Sequence, residues 1–184
     1  SGGTEITATL DGDTVSFTAS QDFNGSESFT ATITDGEFSA SQTFTVTVNA
    51  INDAPTLAAV AGVSFAEDGS SSLTLSGSDV DGDDLTYSIS GGTDITASID
   101  GVNVTFTASQ DFNGSETFTA IVTDGEFSAS ETFTVTVIPV NDAPTLAAVA
   151  GVSFDEDGSG STTLSGSDVD GDDLTYSISG GTDI

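Results

Sequence analysis

The sequence predicts an all-β protein built from tandem Greek-key β-sandwich modules with a period of 89 residues. Three observations support this prediction: an internal repeat along the whole chain, alternation of apolar and polar residues with period two, and glycine-containing turns between the alternating segments. A series of about seven short strands in fewer than roughly a hundred residues is typical of a Greek-key sandwich.

The repeat keeps one register from end to end, without an insertion or a deletion. The segment NDAPTLAAVAGVSF begins at Asn52 and begins again 89 positions later, at Asn141. Taking NDAP as the start of a module gives three predicted domains. These are the C-terminal half of one module (1–51), a complete module (52–140) and the N-terminal half of a further module (141–184).

Each predicted strand of the complete module alternates apolar and polar residues. Leu85, Tyr87 and Ile89, for example, share one face, as expected for a sheet with one buried side. Pairs such as Asn113-Gly114 and Asp124-Gly125 separate the strands and supply the positive φ angles that tight hairpins need. No segment shows a sustained helical period, and we therefore expect strands and turns only.

The charge balance limits the partners of this chain. It contains 30 Asp and Glu residues and no Lys, Arg or His, so its formal net charge is −30. The carboxylates must repel one another, stay solvated or bind external cations. Nucleic acids and anionic membranes are excluded as partners, because both are bound through Lys and Arg. Because cysteine is absent, metal is the obvious candidate for stapling a secreted module.

An acidic loop recurs once per period. It reads DVDGDD from Asp79, with Asp81 and Asp83 at alternate positions, and it returns at Asp168 with Asp170 and Asp172 as the matching residues. Calcium takes about 6–8 oxygen ligands in flexible geometry, which an Asp-rich loop around a glycine supplies. A solvated acidic turn is the alternative interpretation.

The junctions between modules offer a second group of oxygen ligands. They read INDAP from Ile51 and VNDAP from Val140, each after a strand-like TFTVTV run. Proline stiffens the link, and the Asn and Asp side chains offer oxygens to a metal between modules. A simple turn is the alternative. Further acidic candidates, individually weaker, are Glu67-Asp68, Asp155-Glu156-Asp157, Asp35, Asp124, Gln21-Asp22 and Gln110-Asp111, the last with a turn-capping role as its alternative.

These motifs resemble bacterial cadherin-like repeats, which are found in large calcium-dependent surface adhesins and in repeat-rich secreted proteins. Cadherin linkers have the form DxNDNAP, to which the INDAP and VNDAP junctions are similar. Cadherins carry a DxD motif in the following module, and Asp79 with Asp81 and Asp168 with Asp170 match it.

Other positions match the cadherin pattern less closely. Glu67 and Glu156 correspond to a glutamate that cadherins carry early in a module, and Asp35 and Asp124 resemble the aspartate of their AxDxG segment. The LDRE motif is missing, and Asp111 lies near its place. The linker also has fewer acidic residues, so we expect one or two ions per junction rather than the three of cadherins.

The resemblance implies a cadherin/Ig-like fold and Ca²⁺ at each junction. The implied ligands of the first junction are Asn52, Asp53, Asp79, Asp81 and Asp124. Those of the second junction are Glu67, Asp111, Asn141, Asp142, Asp168 and Asp170. The candidate metal ligands also include Asp83, Glu156 and Asp172. Calcium bound there neutralises clustered carboxylates and locks adjacent modules into a stiff rod.

The predicted function is that of a structural calcium-binding segment of an extracellular adhesin or surface fibre. The alternative is a subunit of a self-assembling extracellular filament, in which the front strands of 141–184 complete the back strands of 1–51 in a neighbouring chain. Either way the partners are neighbouring copies of the same module, covalent or intermolecular. We expect no enzyme, because without His, Cys, Lys or Arg a serine nucleophile lacks a basic partner.

Overall fold

The computed structural model describes residues 5–181, and within them it contains β-strands and turns but no helix. It follows that no helix of this part of the chain is long and apolar enough to cross a membrane. The chain forms two compact units. One comprises the described residues up to Ala59 with Leu75–Ser88 and Ala120–Glu131, and the other comprises Val60–Thr74, Ile89–Thr119 and the described residues from Thr132 onward.

The leading part of the chain consists of two antiparallel hairpins. Its strands are β1 (Ile6–Asp11), β2 (Thr14–Ala19), β3 (Gly25–Thr34) and β4 (Ser39–Val48). β1 pairs with β2 and β3 pairs with β4. Three phenylalanine rings from β2, β3 and β4 pack together, with the ring centroids of Phe17 and Phe29 5.2 Å apart and those of Phe17 and Phe44 6.0 Å apart.

The next nine strands belong to the complete module. They are β5 (Thr56–Leu57), β6 (Val63–Ala66), β7 (Ser70–Thr74), β8 (Gly77–Ser78), β9 (Thr86–Gly91), β10 (Ile95–Asp100), β11 (Asn103–Ala108), β12 (Gly114–Thr123) and β13 (Ser128–Ile138). One sheet has the strand order β10-β11-β7 and a second has the order β6-β13-β12-β9, while β5 pairs with β8. β6 runs parallel to β13, and β7 runs antiparallel to β11.

The core of this module lies between the two sheets. Phe106 of β11 contacts Phe118 of β12 and Phe133 of β13, with ring centroids 5.2 and 5.9 Å apart. Val104, next but one to Phe106, and Val135, next but one to Phe133, are also fully buried. The predicted period-two alternation is therefore confirmed, and with it the all-β sandwich fold.

The trailing part of the chain forms far less structure than its sequence predicts. Only β14 (Thr145–Leu146) and β15 (Gly166–Ser167) form, and they pair with each other as β5 pairs with β8. The front strands predicted within 141–184 are absent from residues 152–163 and 174–181, although a closely similar sequence forms β6, β7 and β9 one period earlier. The physical reason is the lack of a partner: β6 needs β13 and β7 needs β11, and no equivalent of β11 or β13 follows within residues 5–181.

Candidate metal centres

Glu67 follows β6 in the sequence and lies beside the end of β13, where the chain enters the VNDAP junction. Its side chain is only 6% exposed, and no other polar or charged residue among residues 5–181 is as buried. The backbone N–H of Glu67 donates to the carbonyl of Ile138 over 2.9 Å, and its Oε1 accepts a hydrogen bond from the N–H of Val140. A turn after β6 thereby holds a carboxylate against the start of the junction.

The junction and the acidic loop that follows it are joined by backbone hydrogen bonds to carboxylates. The N–H of Asp142 donates to Oδ2 of Asp170 over 2.7 Å. The N–H of Asp170 in turn donates to Oδ1 of Asp168 over 3.0 Å, and the N–H of Asp172 donates to the same oxygen over 3.4 Å. The DxDGD loop is therefore folded around Asp168, and Asp170 is aimed at the junction.

Two groups of carboxylates share Asp142. Glu67, Asp142 and Asp170 each offer an oxygen within 4.8 Å of the other two, and so do Asp68, Asp111 and Asp142. Calcium binds oxygens at about 2.3–2.6 Å, so two ligands of one ion lie at most roughly 5 Å apart. Both groups have the spacing that a shared calcium ion requires.

The electrostatics of Asp142 reflect this crowding. Burial raises the pKa of Asp142 above its ordinary value, and the negative charges of Asp111, Asp170, Glu67 and Asp68 raise it further, in that order. Since the sequence contains no cationic side chain, none of this repulsion is relieved from within the chain. A cation bound among these carboxylates would offset their repulsion.

Asp68 was one of the weaker acidic candidates of the sequence, and it was not assigned to the ligand set of either junction. It has a φ of +58°, and Asp111 has a φ of +55°, the left-handed conformation that Asp adopts more readily than most residues. The N–H of Asp111 donates to Oδ1 of Asp68 over 3.4 Å. The acidic pair Glu67-Asp68 was the signal for a second ligand, and the turn geometry explains how both side chains reach the junction.

The first junction repeats part of this arrangement. The amide of Asn52 donates to Oδ2 of Asp124 over 3.1 Å, and the N–H of Asp53 donates to Oδ2 of Asp81 over 2.8 Å. Asp79, Asp81 and Asp83 form an acidic group with oxygens within 4.8 Å of one another. Oδ2 of Asp79 is closed off from solvent and has no hydrogen-bond partner among residues 5–181, as expected of an oxygen that ligates an ion.

Asp124 closes a hairpin turn, a role that the sequence alone could not distinguish from metal binding. Its Oδ1 accepts hydrogen bonds from the N–H groups of Glu126 and Phe127, both over 2.7 Å. Burial acts to raise the pKa of Asp124, but the N–H groups of Phe127 and Glu126 and the amide of Asn52 hold it below the ordinary value. Asp35 closes the equivalent turn of the first hairpin with the N–H groups of Glu37 and Phe38.

The remaining predicted ligands lie outside these groups. The amide of Asn141 donates to the carbonyl of Asp142 over 3.0 Å, so its side chain turns toward its own backbone. Glu156 sits in the exposed turn before Asp157 and joins no cluster of three acidic side chains in the part of the chain that the structure describes. Its repeat equivalent, Glu67, is buried because β6 and β13 hold it in place.

Comparisons with solved structures give partial likenesses. Human protocadherin-24 EC1-2 is 20% identical over 63% of this chain and 62% of that chain, with a TM-score of 0.39. The titin domains Z1Z2 in complex with telethonin are 14% identical over 74% of each chain, with a TM-score of 0.38. The endo-fucoidan hydrolase MfFcnA4 from glycoside hydrolase family 107 is 16% identical over 75% of this chain, with a TM-score of 0.39, and the chain spans only 23% of the hydrolase. No curated protein matches the sequence.

A family model described as bacterial Ig domain matches residues 1–49 and again residues 52–138. The two matches follow the internal repeat, and the second contains both sheets of the complete module. The predicted cadherin-like resemblance is thereby confirmed at the level of an Ig-like domain, while the calcium-dependent adhesin repeat stays a prediction. The chain belongs to the bacterial Ig domain family and consists of tandem Ig-like repeats.

Proposed function

We propose that this chain is a structural, calcium-binding repeat segment of an extracellular bacterial surface protein, in which Ca²⁺ makes the module junctions rigid. The observation that carries the proposal is the convergence of five carboxylates on the second junction, with Asp142 shared by two groups. Membership of the bacterial Ig domain family supports a structural role.

The charge of Glu67 is the strongest argument for a cation. A buried carboxylate is costly unless it is paired, and pairing normally uses Arg, Lys or His. The sequence contains none of these residues. The hydrogen bond from Val140 satisfies one oxygen of Glu67 but does not neutralise its charge. An external cation can supply this compensation, and all-oxygen ligands favour calcium over softer metals.

The order of the ligands along the chain gives the ion its mechanical role. Glu67, Asp68 and Asp111 come from turns of the complete module, Asp142 comes from the junction and Asp170 comes from the loop beyond it. An ion held by all three parts fixes the junction relative to the strands on either side. Because the ion binds only when these parts are assembled, it stabilises the folded state by mass action.

We propose an extracellular location and no catalytic activity for the same chain. Calcium is available outside the cell at concentrations that occupy weak extracellular sites, of Kd about 10⁻⁴ to 10⁻³ M. The acidic groups of the two junctions lie in turns and loops, where their spacing suits ion binding.

Isothermal titration calorimetry with calcium chloride tests the proposal, alongside thermal unfolding in calcium and in excess chelator. We expect calcium to raise the Tm and chelation to lower it. The variant Glu67→Gln keeps the hydrogen-bond acceptor for Val140 but loses the charge, so it should weaken calcium binding. Glu126→Gln, in an exposed hairpin turn, is the matched control. Identical Tm values with and without chelator would rule out the proposal.

A further inference from the structure

We propose that Asn113 and its repeat equivalent Asn24 are sites of self-modification, at which the side-chain amide is hydrolysed to a carboxylate through attack by the next backbone nitrogen. Each is followed by glycine, in the sequence DFNGS that recurs once per period. The site takes only water as its co-reactant, and its product adds negative charge next to the turn that carries Asp111. The reaction itself is independent of the proposed function, and only its dependence on calcium rests on that function.

The turn that precedes β12 does not use the side chain of Asn113. The left-handed residue of this turn is Asp111, with a φ of +55°, and the N–H of Phe112 donates to the carbonyl of Ser109 over 3.2 Å. Asn113 is exposed, its φ is not positive, and its side chain makes no hydrogen bond in the part of the chain that the structure describes. The same is true of Asn24. The amide carbon of both side chains is therefore open to attack.

Glycine is required at the position after each asparagine, so the fold keeps the reactive pair together. Gly114 has a φ of +150° and Gly25 has a φ of +143°, a backbone conformation that residues with a Cβ rarely adopt. A Cβ would lie 3.1 Å from Cζ of Phe112 at the first position and 3.2 Å from Cζ of Phe23 at the second. Because glycine has no side chain, its backbone N–H is unshielded and the chain rotates more easily toward the amide.

The exposure of the two asparagines does not come from the ends of the sequence. Asn113 belongs to the complete module, in which both sheets are formed. Asn24 precedes the first junction, and the complete module follows that junction. Each copy is therefore exposed in the surroundings that the other copy lacks.

The reaction balances with water alone. The backbone nitrogen of Gly114 gives up its proton and forms a bond to Cγ of Asn113, which closes a cyclic succinimide. The bond from Cγ to the side-chain nitrogen breaks, and this nitrogen leaves as ammonia. Water then opens the ring at one of its two carbonyl carbons. One opening gives aspartate and the other gives isoaspartate, in which the backbone runs through the former side chain.

Each event adds a carboxylate, and in the isoaspartate form it also lengthens the backbone by a methylene group. Reaction at both pairs adds two carboxylates and takes the formal net charge from −30 to −32. After Asn113 the added methylene falls directly before β12. There the hydroxyls of Ser115 and Thr136 lie 2.9 Å apart, and Glu116 accepts a hydrogen bond from the N–H of Ile95 over 2.9 Å. Isoaspartate should therefore weaken the start of β12, whereas aspartate should leave it intact.

Calcium should slow the reaction at Asn113. The attack needs a rotation of the backbone at Asn113, two residues after Asp111. The carboxylate of Asp111 lies in one acidic group with those of Asp68 and Asp142. An ion held by that group would stabilise the closed form of the turn and make the rotation rarer.

Two asparagines of the same chain serve as internal controls. Asn49 is exposed like Asn113, but alanine follows it. Asn103 is exposed too, but its Oδ1 accepts a hydrogen bond from Oγ1 of Thr74 over 3.0 Å, and the β-branched Val104 follows it. Asn49 therefore separates the effect of the glycine from that of exposure, and Asn103 reports on an asparagine held in a strand.

Peptide mass spectrometry of the parent chain, aged at mildly alkaline pH in calcium and in chelator, tests the proposal. Because the chain has no Lys or Arg, chymotrypsin replaces trypsin for the digestion. We expect isoaspartate at Asn113 and Asn24, formed at least roughly tenfold faster than at Asn49 and Asn103. The rate should rise with pH, because the attacking nitrogen must lose its proton. Intact amides at Asn113 and Asn24, equal rates at all four asparagines, or conversion to aspartate without isoaspartate overturns the proposal.

The variant Asn113→Asp separates the added charge from the added methylene. Aged chain purified in its isoaspartate form at residue 113 should unfold at a lower Tm than Asn113→Asp, which carries the same charge. Equal Tm values would overturn the predicted weakening of β12. A reaction rate that is the same in calcium and in chelator, in a chain that binds calcium by calorimetry, overturns the calcium dependence alone. A chain that reacts as expected but binds no calcium contradicts the proposed function and leaves the reaction standing.

Discussion

The N–H of Asp142 donates a hydrogen bond of 2.7 Å to Oδ2 of Asp170, which joins the module junction to the loop that follows it. The N–H of Asp53 makes the equivalent bond of 2.8 Å to Asp81 one period earlier. The contact brings two carboxylates together at every junction. The backbone thus holds each junction in an arrangement that suits the proposed cation, at the expense of repulsion between the side chains that the backbone aligns.

Asp142→Asn tests this repulsion directly. In chelator the substitution should raise the Tm, because it removes a charge that faces four other carboxylates. In calcium it should lower the Tm and weaken binding by at least roughly tenfold, because a ligand of both acidic groups is lost. Differential scanning calorimetry in both conditions measures the two effects. Asp100→Asn, at the exposed end of β10, should change neither effect. A Tm shift of the same sign in both conditions would contradict the assignment.

Asp68→Asn tests whether the second acidic group holds an ion of its own. Asn tolerates the φ of +58° at this position, so the backbone should be unchanged. We expect one fewer bound calcium per chain by titration calorimetry, because the group of Asp68, Asp111 and Asp142 loses a carboxylate while that of Glu67 and Asp170 keeps its own. An unchanged stoichiometry with unchanged affinity would remove Asp68 from the site.

Glu116 is predicted to make stability depend on pH in the absence of metal. Its carboxylate accepts hydrogen bonds from the N–H groups of Thr93, Asp94 and Ile95 over 2.9, 3.1 and 2.9 Å. Burial opposes ionisation, but the bonds from Thr93, Ile95 and Asp94 lower the pKa of Glu116 to about 2. A lowered pKa stabilises the fold above the unfolded value, near 4.5, and this contribution is lost as the pH falls toward 2.

The variant Glu116→Gln measures that contribution in urea unfolding with chelator present. At pH 7 it should be less stable than the parent by about 1 kcal/mol, a figure reduced for solvent screening. The difference should shrink steadily below pH 4.5 and vanish near the pKa of about 2. A difference that is constant across this range would mean that the ionised carboxylate does not hold these N–H groups.

Gly77→Ala tests the packing beside the junction hairpin. A Cβ at Gly77 would lie 2.9 Å from the carbonyl of Thr56, 2.9 Å from the hydroxyl of Tyr87 and 3.3 Å from Val122. We expect a loss of about 1–3 kcal/mol in the free energy of unfolding. Gly151→Ala is the control, because a Cβ at Gly151 would meet no atom within 4 Å and the φ of this residue is not positive. Equal stability of the two variants would show that the space beside Gly77 is not filled.

Local pattern was enough to predict the fold and some of the contacts between candidate ligands. The alternation at Val104 and Phe106 identified a strand with one buried face, and both residues are fully buried. The repeated DxD loops and junctions placed Asp142 and Asp170 in one candidate site. In the structure the N–H of Asp142 donates to Oδ2 of Asp170. These features depend on short segments, whose geometry neighbouring residues largely determine.

Long-range pairing could not be predicted in this way. The sequence of residues 152–163 matches that of β6 and β7 closely, yet it forms no strand, because a strand needs a partner that local pattern does not supply. Asp68 was named only as a weaker candidate for a related reason: the turn after β6 and the approach of Asp111 bring it to the junction. Which carboxylates converge is decided by contacts between residues far apart in the sequence.

The parallel pairing of β6 with β13 determines how the complete module carries tension. β6 lies near the start of this module and β13 at its end, so forces that draw the two ends of the module apart act in opposite directions along two neighbouring strands. The pairs from Val63 with Val135 to Ala66 with Ile138 then bear the load together in shear, instead of opening one after another from an end. Because the N–H of Glu67 bonds to Ile138 directly beyond these pairs, the acidic turn adds its resistance at the point where the load enters.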